Sequence, residues 1–201
     1  MSAPIMTHEA HHHDVSHDTH SKTIFGFWLY LMTDCIFFAS IFAAYAVLQN
    51  ATFGGPTARD FSLPLALMET LVLLTSSFTC GASQVAANRD GKKTVLVLLG
   101  VTFLLGSLFA GMVWTEFTQI VQSGNTWRTS AFLSAYFTLV GTILIHIVFG
   151  LLWMLVVMAQ IVFRGLRAST HRRLTCLRLF WHFINIVWIF IFSVVYLMGA
   201  I

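Results

Sequence analysis

Three acids and two histidines lie inside long apolar runs of this chain: Asp34, Glu69, Glu116, His146 and His182. Asn185 follows His182 by three residues, on the same helical face. A charge within hydrocarbon is costly, so each such group needs a partner or a task. Carboxyl and imidazole groups in that setting can pass a proton, form an ion pair, or serve as hydrogen-bonding glue between helices. Residue type alone leaves all three open. A haem would need axial ligands aimed at one iron. Two membrane histidines, His146 and His182, are too few for a multi-haem core.

A second group precedes the first apolar run. His8, His11, His12, His13, His17 and His20 are interleaved with Glu9, Asp14 and Asp18. Histidine-rich tracts bind zinc or copper, here weakly and exchangeably. The plainer reading is a disordered cytoplasmic arm over 1–23. Cys35, Cys80 and Cys176 are scattered and form no C-x-x-C pair. They indicate small packing residues, with neither a disulfide framework nor a zinc site. The six tryptophans read as interface anchors or bundle packing, Trp181 and Trp188 among them.

The elements that must position these groups follow from composition. Of 201 residues, 57% are hydrophobic and 9% charged, against about 25% charged in a soluble domain. That excludes a soluble enzyme, a disordered regulator and a nucleic-acid binder. Runs of about 20 apolar residues mark transmembrane helices. Five are present, over 24–48, 64–87, 94–121, 131–163 and 176–201. The expected fold is all-α, a polytopic membrane bundle of five helices over 24–201. The alternation of barrel strands is missing, and no internal repeat suggests a transporter built from inverted halves. The fourth run is too long for an upright span and must tilt or overhang. Ser62 or Asp60 is placed to cap the second helix, with Pro64 in its first turn.

Charge sets the direction. Lys22, Arg89, Lys92, Lys93, Arg164, Arg167, Arg172, Arg173 and Arg178 fall on one side, and Arg59 and Arg128 on the other. The positive-inside rule then puts the N-terminus in the cytoplasm and the C-terminus in the periplasm. Counting rise per residue from the cytoplasmic end places Asp34 at about 15 Å, His182 at about 9 Å and Asn185 at about 14 Å. Glu69 falls at about 27 Å and His146 at about 25 Å before any tilt or overhang. The expectation is one polar cluster around Asp34 with His182 or His146, and a second contact between Glu69 and His146. Glu116, beside Trp114 near the outer interface, is expected to be solvated.

The polar residues sit in segments that resemble subunit III of the haem-copper respiratory oxidases. The segments are Gly26-Phe-Trp-Leu-Tyr-Leu-Met-Thr-Asp34-Cys-Ile-Phe-Phe, Leu65-Ala-Leu-Met-Glu69-Thr-Leu-Val-Leu-Leu-Thr-Ser-Ser, Glu116-Phe, and Ser134-Ala-Tyr-Phe-Thr-Leu-Val-Gly-Thr followed by His146. The most specific is Phe180-Trp-His-Phe-Ile-Asn-Ile-Val-Trp188, and Val194-Val-Tyr-Leu-Met-Gly-Ala is similar too. The five-span count and the Glu69-Thr segment resemble the short form found in bacterial bo-type ubiquinol oxidases. Two positions depart from the pattern: Ile143 stands where the family has a second histidine, and Asn185 where it has an aspartate. Both changes remove ionisable groups from the membrane and weaken any continuous proton path through the chain.

The resemblance implies an accessory subunit without redox centres of a proton-pumping ubiquinol oxidase in a bacterial inner membrane. Haems, copper and ubiquinone would belong to partner subunits, the large subunit I above all, with II and IV alongside. This chain would support assembly, bind phospholipid and sustain proton uptake. Subunit III of a cytochrome c oxidase is the near alternative, and a proton-coupled transporter using Asp34 and Glu69 is a remote one. A metal-handling membrane protein that uses the histidine tail is a third class.

Overall fold

The computed structural model describes residues 8–52, 57, 62–89 and 91–200, the side chains of 8–21, 168 and 200 excepted. In hydrocarbon each backbone polar group must be satisfied within its own segment, which leaves the helix as the means for one chain segment to cross alone. The described residues accordingly form helices: α1 His8–Leu48, α2 Leu63–Ala87, α3 Lys92–Gln122, α4 Ala131–Arg164 and α5 Ala168–Ile191. A π-helical segment, Phe192–Leu197, and a last turn, α6 Met198–Ala200, continue α5. Among the described residues, five helices are long and apolar enough to cross a membrane: Lys22–Leu48, Leu63–Ala87, Lys92–Gln122, Ala131–Arg164 and Ser169–Leu197.

The first four spans agree with the sequence reading to within about two residues at either end, the usual scatter of helix boundaries. The fifth begins earlier than the expected residue 176. The basic run is not a loop: α5 starts at Ala168. Thr170, Leu174 and Leu177 recur at helical spacing and are buried, so one face already packs while Arg172 and Arg173 stay at the rim. The connection from α4 shrinks to a few residues around Gly165, whose φ of 72° ends α4 in the left-handed region. The backbone of α1 is helical from His8, where an unstructured arm was expected. The side chains of the tail histidines lie outside the described residues.

Caps differ from expectation. Ser62 precedes α2 but makes no side-chain cap, and Pro64 occupies the first turn as anticipated. Asp60 lies outside the described residues. Ser130 does cap α4, accepting from the Leu133 N–H at 3.1 Å. Lys92 at the start of α3 donates to the Val162 carbonyl in the last turn of α4, at 3.0 Å. A cation thus meets the negative end of a helix dipole.

The helix α5 is the hub, packing on α1, α2 and α4. Its Trp181 and Trp188 are fully buried. Room for Trp181 comes from two glycines on neighbouring helices. A Cβ at Gly106 of α3 would meet the indole at 2.8 Å, and one at Gly150 of α4 would meet it at 3.0 Å. These residues let three helices approach closely around one ring, the small-residue packing that membrane bundles favour. Trp28, Trp114 and Trp127 face outward, where rings anchor at an interface.

Candidate functional site

The polar side chains form three separate groups. In the first, α1 and α4 bring Asp34 and His146 together, with Nε2 and Oδ1 at 3.3 Å. The other ring nitrogen, Nδ1, lies 2.8 Å from the Thr142 carbonyl. A carbonyl only accepts, so Nδ1 carries a hydrogen. A hydrogen bond between ring and carboxyl then requires one further proton between Nε2 and Asp34: on the ring, Nε2 donates, and on Asp34, the carboxyl donates. The pair is a neutral unit holding one proton, or equivalently an ion pair. Phe38 and Phe180 flank the imidazole, at ring-centroid distances of 5.1 and 6.4 Å. Asp34 Oδ2 is buried without a partner.

The second group joins α5 to α2 as a ladder. The Trp188 indole N–H donates to Thr70 Oγ1 at 3.1 Å, and that of Trp181 to Ser76 Oγ at 3.0 Å. Ser77 Oγ and His182 Nδ1 are 2.6 Å apart. Thr175 donates to Gln84 Oε1 at 3.4 Å. From Thr70 to Gln84 on α2 the partners on α5 run overall from Trp188 down to Thr175, with the neighbours Ser76 and Ser77 meeting the neighbours Trp181 and His182. Two antiparallel helices with one rise per residue produce that register. Thr70 and Ser76 also donate to their own helix, to the Ala66 and Leu73 carbonyls. Their donors are thereby occupied, and their lone pairs remain for the indoles.

The third group lies near the end of the bundle where α2 begins and α3 ends. Tyr196 OH donates to Glu116 Oε2 at 3.0 Å and meets Tyr136 OH at 3.0 Å. Glu69 faces the same place, close enough to Glu116 to feel its charge. The π-helical segment helps to build this group. Its wider turn shifts the face of the last span, and the consecutive Val195 and Tyr196 are both buried.

The expected grouping is therefore partly redrawn. Asp34 does pair with His146. His182 turns instead to Ser77, and Asn185 donates to the Trp181 carbonyl of its own helix at 2.9 Å. The contact expected between Glu69 and His146 does not form, because α4 overhangs at its C-terminal end and brings His146 level with Asp34. Glu116 is buried, at 6% exposure, where solvation was expected. The sequence reading missed Thr70, Ser76, Ser77, Gln84, Tyr136 and Tyr196. Small hydroxyl residues spaced six and seven apart on α2, opposite tryptophans spaced seven apart on α5, were the legible signal.

No three His, Cys, Asp or Glu side chains converge on a metal-sized point among the described residues. His146 and His182 are both engaged by neighbouring helical groups and do not face a common centre. Among the described residues, grooves open on the surface at two places of note. One, about 800 Å³, runs along α2 and α3 past Ser77, Gly81, Arg89 and His182. The other, about 560 Å³, is lined by Phe27, Tyr30, Trp153, Ser169, Arg172 and Arg173.

Residues 5–200 match the family model described as cytochrome c oxidase subunit III. The cytochrome bo(3) ubiquinol oxidase subunit 3 of Pseudomonas aeruginosa is 55% identical over 192 residues, covering 95% of this chain and 92% of that one. The protein of the same name from Pseudomonas putida is 48% identical over 92% of this chain and 90% of its own length. The cytochrome c oxidase subunit 3 of Bacillus sp. (strain PS3) is 46% identical over 88% of this chain and 86% of its own. A match of this extent, on a bundle of five spans joined through buried acids, tryptophans and histidines, places the chain in the cytochrome c oxidase subunit III family.

Proposed function

We propose that this chain is the third subunit of a haem-copper ubiquinol oxidase of a bacterial inner membrane, and that it has no catalytic part in oxygen reduction. One observation carries the reading. Two relatives named as subunit 3 of a bo(3) ubiquinol oxidase match at 55% and 48% identity over nearly the whole length. The geometry supports a structural role, because Asp34 with His146, Glu116 with Tyr196, His182 with Ser77, and Trp181 and Trp188 with the α2 hydroxyls all bond across helices. Ubiquinol oxidation, haem and copper chemistry and proton pumping then fall to partner subunits, with I, II and IV as the expected companions. This chain packs against them and sustains turnover.

Orientation and lipid binding belong to the same proposal. The end of the bundle carrying Lys22, Arg89, Lys92, Lys93, Arg164 and Arg167 faces the cytoplasm by the positive-inside rule. The smaller groove there combines aromatic walls with Arg172 and Arg173. It suits a phospholipid, acyl chains against the rings and phosphate at the guanidiniums.

Purification in mild detergent tests the reading. The chain should co-purify with a haem-absorbing complex that consumes oxygen with ubiquinol and not with reduced cytochrome c. The Bacillus relative favours the second reading, a cytochrome c oxidase, and the opposite electron-donor preference would establish it. A chain that purifies alone, with no haem spectrum, would refute both.

A further inference from the structure

The cluster of Glu69, Glu116, Tyr136 and Tyr196 has a charge problem that the subunit role does not explain. Both acids are buried, Glu69 completely. The titratable groups acting on the pair, among the described residues, come one from each surrounding element: Glu69 of α2, Glu116 of α3, Tyr136 of α4 and Tyr196 of the π-helical segment. No lysine, arginine or histidine is among them. Two ionised carboxylates would face each other in a low dielectric without a balancing cation.

Hydrogen bonding separates the two acids. Glu116 receives the Tyr196 hydroxyl, and phenols act as donors to carboxylates well into the alkaline range. Glu116 is thus provided for as an anion. Neither oxygen of Glu69 has a hydrogen-bond partner. Ionised, Glu69 would be a buried anion without a donor beside a like charge. Protonated, it loses both penalties, and its hydroxyl lies in the field of the Glu116 carboxylate. A hard metal cation suits the cluster less well, since calcium takes six to eight oxygen ligands and magnesium a near-ideal octahedron.

We infer that Glu69 is a proton-carrying carboxylic acid, that Glu69 and Glu116 hold a single dissociable proton between them, and that this proton keeps α2, α3, α4 and the π-helical segment clasped. Loss of the proton from Glu69 in alkaline solution sets two carboxylates against each other and loosens this end of the bundle. The inference does not rest on which electron donor the complex uses.

The test uses the assembled complex. Infrared difference spectra are taken between neutral and alkaline pH, in H2O and D2O, alongside thermal unfolding over the same range. The wild type should show a protonated-carboxyl carbonyl band that fades with rising pH, and its unfolding midpoint should fall in step. Glu69→Gln, close in shape and permanently neutral, should lose that band and the associated part of the fall. Glu69→Asp should move the band in frequency. A wild-type spectrum with no fading band, or a band unchanged in either variant, would overturn the inference. So would an alkaline fall that calcium, magnesium or sodium chloride abolishes in the wild type, which would identify a cation site instead. Should Glu69→Gln not assemble, the wild-type titration and Glu69→Asp decide.

Discussion

Asp34 shows what one residue can and cannot reveal in a sequence. A carboxyl in the middle of an apolar span announces that something answers it, and an imidazole on α4 does, at 3.3 Å. Which histidine answers was not legible, because depth counted along a helix assumes that all helices start at one plane. α4 has 34 residues and α1 has 27 within its span, so the planes do not coincide. The energetic worth of the pair follows from its surroundings. Removing one partner of a buried pair in a soluble protein costs about 3–5 kcal/mol. In a bilayer the unfolded reference also finds partners, and measured couplings average about 0.6 and reach about 1.7 kcal/mol. We expect the membrane value to prevail. A double-mutant cycle on Asp34→Asn and His146→Leu, read by unfolding of the complex in mild detergent, should give a coupling of about 1 kcal/mol. Additive effects of the two substitutions would show that the contact contributes nothing.

At the scale of elements, the ladder between α2 and α5 does more than any single contact. It fixes the register of the hub helix through four side-chain bonds spread from Thr70 to Gln84. An indole N–H buried without an acceptor costs about 1–3 kcal/mol by the soluble scale, with membrane values toward the lower end. Ser76→Ala should therefore lower unfolding stability by about 1 kcal/mol, as Trp181 loses its acceptor. Thr33→Ala, which removes an exposed hydroxyl bonded only to the Leu29 carbonyl of its own helix, should change stability by less than about 0.5 kcal/mol. Equal effects at the two sites would mean that the register is held by packing alone. The spans themselves were legible because hydrocarbon demands long unbroken apolar runs. The start of α5 was not, because Arg172 and Arg173 mask a face that is already apolar at Leu174 and Leu177. The π-helical segment was invisible as well. Phe192–Leu197 carries no residue that breaks an α-helix, and its wider turn answers tertiary demand, the burial of both Val195 and Tyr196.

For the whole molecule, the proposed function makes the chain a scaffold whose cross-helix polar bonds help to hold five spans together, with the redox reactions assigned to neighbouring subunits. The family was legible in the Trp-His-Phe run of α5 and in the acids of α1, α2 and α3. The separation of the polar residues into three groups was not, since it depends on how far each helix overhangs its neighbours. Scaffold and catalyst are separated by time. A catalytic group, once removed, lowers the first turnovers, because the loss falls on transition-state stabilisation itself. A scaffold group leaves the first turnovers intact and shortens the life of the complex. The most direct test is quinol-driven oxygen consumption by purified complex carrying Asp34→Ala, followed from the first seconds until activity is lost. The expected result is an initial rate within about twofold of wild type and a markedly earlier decay. An immediate and complete loss of oxygen reduction in a fully assembled complex with normal haem content would contradict the account.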